Sequence, residues 1–145
     1  MAKLNSLTLQ ASLDSLATIR KFAAQAAVSA GIDKNASYYL QLAVDEIATN
    51  IIIHGYEEAN LTGELFVQAE LTDSILRIII EDTGAPFDPR ALKLPSEDDL
   101  KKPLEERAIG GLGVYLAFNG VDRFDYERKG NLNRNIFEVF LDRNS

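Results

Sequence analysis

Along this chain the apolar positions keep two rhythms, and the places where one gives way to the other mark its elements. From Leu13 to Ala30 they return every three or four residues, with Leu16, Ile19, Ala23, Ala26 and Ala30 on one side, which predicts an amphipathic helix. Ser12 is placed to cap its start and Gly31 to end it. A second helix is predicted from a cap at Asp33 to about His54, with Val44, Ile47 and Ile51 turned toward the core. The β-type runs are shorter. Leu4–Gln10 reads as a strand, and "ELFVQAEL" and "ILRIIIED", separated by "TDS", read as an antiparallel hairpin. "VDRFDYER" and "NIFEVFL" supply two more strands, after a third helix expected from near Gly113 to Gly120.

Between the hairpin and that third helix the pattern breaks. The segment "TGAPFDPRALKLPSEDDLKKPLEERAIGG" contains all four prolines and a dense run of charges. A loop of this length in a small domain is usually functional or disordered. The order of elements predicts one domain over residues 1–145 of the α+β class. It is expected to be a two-layer sandwich, a mostly antiparallel mixed sheet with helices on one face.

Composition narrows the function without naming it. The formal charge of −7 disfavours nucleic acid and anionic membrane surfaces as partners. The absence of cysteine removes disulfides, thiolate nucleophiles and thiolate metal sites, and a single histidine rules out a histidine-rich zinc site. No apolar run has the length of a signal peptide core or a membrane span, so the expected location is the cytoplasm.

Three segments carry candidate chemistry. In "AVDEIATNIIIHGY", Glu46 and Asn50 lie four apart, on one helix face one turn from each other. By itself this reads as a solvated face. In "EDTGAPFDP", Asp82 ends an apolar strand before a glycine turn, as a plain Asx turn would. The same carboxylate is suited to accept from an exocyclic amine such as that of adenine. In "IGGLGVYL", Gly110–Gly113 precede a helix start, where free N–H groups suit phosphate, although glycines also simply punctuate loops. His54 reads as a packing or capping residue at the helix end.

Taken in this order and spacing, these segments resemble the N, G1 and G2 boxes of the GHKL (Bergerat-fold) ATPases. With "PLEERAIGGLGVYL" and the ending "VDRFDYERKGNLNRNIFEVF", the chain is similar more narrowly to the bacterial anti-sigma-factor serine-protein kinases of partner-switching systems. The resemblance implies ATP or ADP with Mg²⁺ as cofactors. It makes Asn50 the metal ligand and Glu46 the general base toward a serine hydroxyl. Asp82 would bind the adenine amine and Gly84 would make room for the ring, with Phe87 and Asn135 also at the nucleotide. The backbone of Gly110, Gly111, Leu112 and Gly113 would cradle phosphates, and Arg107 would neutralise the transferred phosphoryl group or touch the partner. Residues 91–109 become an ATP lid. The implied partners are a STAS-domain antagonist as substrate, a sigma factor, and a second copy of the chain in a homodimer built on the first strand and first helix. Two departures stand out: Ala85-Pro86 follow Gly84 where relatives carry more glycine, and Asn133-Arg134 stand where many have glycines. A non-catalytic ATP- or ADP-binding regulatory module is the alternative reading.

Overall fold

The computed structural model describes residues 2–91 and 120–141. Five strands form one sheet: β1 (Ala2–Gln10), β2 (Glu64–Leu71), β3 (Ile75–Asp82), β4 (Arg123–Lys129) and β5 (Leu132–Phe140). They run in the order β1-β2-β3-β5-β4, and all four pairings are antiparallel. Two helices, α1 (Leu16–Ala30) and α2 (Lys34–Asn50), pack together on one face. The expected α+β sandwich is therefore present, with no parallel pair among the described strands.

Alternation builds the interface between the layers. Leu65, Val67 and Ala69 of β2, Leu76, Ile78 and Ile80 of β3, and Phe137 and Val139 of β5 point one way and are buried. They meet Ile19, Phe22 and Ala23 of α1 and Leu40, Val44 and Ile47 of α2. The other face of the sheet carries a ladder of ion pairs instead. Arg77 joins Glu70 to Glu138, Arg123 joins Glu138 to Asp125, and Arg134 joins Glu81 to Glu127. Glu138 is buried and the other partners are partly or well exposed; exposed pairs contribute little each, but opposite charges across adjacent strands favour one register.

The helix ends follow their sequence signals. Asp33 caps α2 by accepting from the Ala36 N–H at 2.8 Å, and Gly31 ends α1 in the left-handed region at φ 72. Two expectations need adjustment. The first helix opens with a 3₁₀ turn over Leu13–Ser15, capped by Ser12, before α1 proper begins at Leu16. The second does not stop near His54: after Asn50 it widens into π turns over Ile51–Glu57, with bonds such as Glu58 N–H to Ile53 O at 2.8 Å. Such widenings concentrate at functional sites because they re-aim side chains. The third helix expected from near Gly113 lies outside the described residues except for Gly120. A Cβ there would lie 2.6 Å from Tyr39 Cβ, so only glycine lets this backbone approach α2 so closely. Among the described residues no helix is long and apolar enough to cross a membrane.

Candidate functional site

The polar pair on α2 is not a solvated face. Asn50 is 6% exposed, and its Nδ2 has no hydrogen-bond partner among the described residues. An unpaired buried amide N–H group is unfavourable by about 1–3 kcal/mol. A side chain retained under that penalty at the mouth of a π widening fits a site completed by a ligand. Glu46, one turn earlier, is partly buried. Loss of solvation, and then the neighbouring charge of Asp45, push its carboxyl above the usual glutamate range. That shift suits a group meant to take up a proton. Asp45 is also raised by burial, against the opposing charge of Arg20 3.7 Å away.

The second half of the site is the turn after β3, and α2's extension holds it in place. Ala85 N–H donates to Gly55 O at 2.9 Å and Thr83 N–H to the Tyr56 hydroxyl at 3.1 Å. The buried Tyr56 ring is wedged between two glycines. A Cβ on Gly63 would stand 2.8 Å from the ring, and one on Gly84 would stand 2.9 Å from it and 2.6 Å from Gly55 O. Gly84 thus makes room first for Tyr56. Phe87 stacks on His54 with centroids 4.6 Å apart, and His54 pairs with Glu58 through Nδ1. The packing role expected of His54 is what the structure gives it.

Asp82 is 2% exposed. Its Oδ1 accepts from Gly84 N–H at 2.9 Å and from Asn133 Nδ2 at 2.9 Å, while no hydrogen bond among the described residues reaches Oδ2. Burial raises its pKa, with the bonds from Asn133 and Gly84 and the charge of Arg128 opposing. The result is a sequestered carboxylate with one oxygen committed to the protein and one uncommitted.

Asn135 lies two residues further along β5, level with Ile80 of β3. It is fully buried, and neither side-chain polar atom has a partner among the described residues. The residue wired to Asp82 is Asn133, which the sequence reading treated only as a departure from a glycine pattern. Tyr126 and Arg128 were missed with it. The available signal was alternation, which puts Asn133 on the inward face with Asn135 and Phe137. The register that sets it across from Asp82 could not be read beforehand. Arg107, Gly110, Gly111, Leu112, Gly113 and all of the expected lid over 91–109 except its first residue lie outside the described residues.

The described donor set fits a nucleotide: a buried amide beside a proton-accepting carboxylate, and a sequestered acceptor across the α2–turn contact. No cluster of three or more His, Asp or Glu among the described residues forms a metal cage. A cation at Asn50 would therefore take most of its oxygen ligands from phosphate and water.

Comparison with known proteins agrees. Residues 9–136 match the family described as the histidine kinase-like ATPase domain. Serine-protein kinases RsbW from Bacillus thuringiensis and Bacillus cereus are 36% identical over 78 residues, which is 53% of this chain. The aligned stretch spans 48% of those relatives, about half their length. Among solved structures, the RsbU and RsbW domains of a Mycobacterium tuberculosis protein superpose with a TM-score of 0.62 at 17% identity, covering 94% of this chain and 32% of that one. The histidine kinase domain of a blue-light activated kinase from Erythrobacter litoralis gives 0.51 at 14% identity, covering 86% and 59%. At these identities the structures speak for the fold.

Proposed function

The chain belongs to the histidine kinase-like ATPase family, and from that premise we propose that it is an anti-sigma factor and serine-protein kinase. It uses Mg-ATP to phosphorylate a STAS-type antagonist in the cytoplasm. The observation that carries this reading is the uncommitted Oδ2 of the buried Asp82, an acceptor for the adenine amine at the end of β3. The relatives named serine-protein kinases support the choice of reaction.

In this reading Asn50 holds Mg²⁺ through its amide oxygen, and Asp82 and the Gly84 turn hold the base. Bound magnesium supplies charge neutralisation at the phosphate oxygens. Glu46 takes the proton of the serine hydroxyl as that oxygen bonds to the γ-phosphorus. The bond from the γ-phosphorus to the bridging oxygen breaks, and ADP leaves. Its elevated pKa brings Glu46 nearer to working pH, which favours this transfer. Arg107 and the Gly110–Gly113 backbone complete the phosphate site, and Phe87 and Asn135 flank the nucleotide. Once the antagonist is phosphorylated the kinase is free to hold its sigma factor, and the working form is a homodimer.

Glu46→Gln tests the assignment. Glutamine keeps size and polarity but accepts no proton, so ADP affinity should stay near wild type while phosphotransfer to a serine-bearing STAS domain falls by about 10²-fold or more. Asn50→Ala should weaken Mg-ATP binding as well as turnover. A wild-type rate in Glu46→Gln, measured with labelled ATP, refutes the base. A wild type that binds nucleotide and partner but transfers nothing makes the protein a regulatory binding module.

A further inference from the structure

The side chain that holds Asp82 is itself held. Asn133, 2% exposed and opposite Asp82 in the β3–β5 register, donates through Nδ2 to Asp82 Oδ1 at 2.9 Å and to Gly84 O at 3.0 Å. Its Oδ1 accepts from the Tyr126 hydroxyl at 2.6 Å and from Arg128 Nη1 at 2.8 Å. An asparagine amide can usually turn over and exchange its oxygen and nitrogen. Here the reversed amide would set its oxygen against a carboxylate and a carbonyl, and its NH₂ against a guanidinium. Two acceptors on one side and two donors on the other leave a single orientation.

We propose that Tyr126 and Arg128 of β4 are positioning residues for base recognition: by fixing the Asn133 amide they fix Asp82 as a pure acceptor, with Oδ2 left for the ligand. The inference rests on the adenine-nucleotide reading above and adds the residues that set its specificity. A ligand matched to that acceptor presents an N–H donor, as a 6-amino purine does, and a 6-oxo purine presents an acceptor instead. Arg128 has a second effect, since its charge is among those that hold Asp82 ionised. Around Asp82 stand the Tyr56 hydroxyl from the extension of α2, the amide from β5, Arg128 from β4 and apolar Leu65 from β2. The cation acting on the carboxylate thus comes from β4. Arg128 is exposed and Tyr126 partly buried, so Arg128→Gln and Tyr126→Phe leave the core apolar packing intact.

The test has two arms. In ligand-free protein, the titration of the Asp82 carboxyl, followed by carbon-13 NMR, should move to higher pH in Arg128→Gln. In titrations with ADP and with inosine diphosphate, losing one bond of this network should lower ADP affinity about 3- to 10-fold in each variant. The preference for ADP over inosine diphosphate should shrink with it. A merely structural role would move neither the Asp82 titration nor the base preference. If both variants keep the wild-type titration and the wild-type preference, the positioning role is wrong. If wild type takes up no adenine nucleotide, the functional reading fails by itself, and the ligand-free arm still decides whether β4 controls Asp82.

Discussion

Asp82 carries a stability cost and, in the proposed reading, the base-binding role, and one substitution separates the two. Its raised pKa means that the folded state holds the proton more tightly than the unfolded chain does. The contribution to stability is therefore full below the ordinary aspartate pKa and is lost as pH rises through the elevated folded value. Glu46 and Asp45 are raised as well and act in the same direction. In Asp82→Asn, Oδ1 can still accept from Gly84 N–H and Asn133, because both existing bonds fall on that one oxygen. The buried charge disappears. The variant should melt above wild type at pH 7, and the gap should close as pH falls below the ordinary carboxylate range. Its Nδ2 would meet the ligand's amine with a second donor, so ADP affinity should drop at least about tenfold, as expected when a buried polar group loses its partner. Paired melting curves and ADP titrations check this, and an Asp82→Asn protein that binds ADP like wild type would remove the carboxylate from the site.

Between elements, the decisive joint is the contact of the α2 extension with the turn after β3. Gly84 carries it, because the turn lies against Gly55 O and the Tyr56 ring with no room for a methyl group. Gly84→Ala should destabilise the protein by about 1–3 kcal/mol, the usual range for overpacking. Tyr56→Phe should lose about 1 kcal/mol with the Thr83 bond while leaving the ring in place. Denaturant melts of the two variants give the order, and a Gly84→Ala protein as stable as wild type would mean the turn is free to shift. The strands, both helix caps and the hairpin were legible in the sequence because each rests on neighbours along the chain. Ser12, Gly31 and Asp33 act within a few residues of where they stand. The π widening after Asn50 was not legible, since "IIIHGY" continues an ordinary helical rhythm and only the docked turn explains the extra width. Asn133 was hidden for a related reason: its partner lies 51 residues away, across a register that the pattern of β5 does not specify. Glu46, Asn50 and Asp82 could be named beforehand as candidates. What they touch could not.

At the scale of the whole molecule, the sheet has two different edges. β4 is tied down by Arg90, which reaches the Tyr126 carbonyl at 3.1 Å and lies near Asp125, while β1 pairs only with β2 among the described strands. An open edge strand presents a row of unpaired backbone groups that invites a second chain. Beside it runs a groove of about 290 Å³ between β1 and α1, lined by Leu4, Phe22, Gln25, Ala26 and Ser29. Leu4 is 39% exposed although apolar. Small residues of α1 line part of that groove, so a symmetry-related helix could approach closely and cover it. We predict that a homodimer of the kind the family resemblance implies would use this surface. Leu4→Glu combined with Ser29→Glu places like charges at the groove in both copies, on side chains that are not part of the buried core. Light scattering at high micromolar concentration should give a dimer for wild type and a monomer for the double variant, with ADP affinity retained because Asp82 and Asn50 lie on other elements. If wild type is itself a monomer at that concentration, the dimer is wrong. If the double variant stays dimeric, the interface lies elsewhere on the molecule.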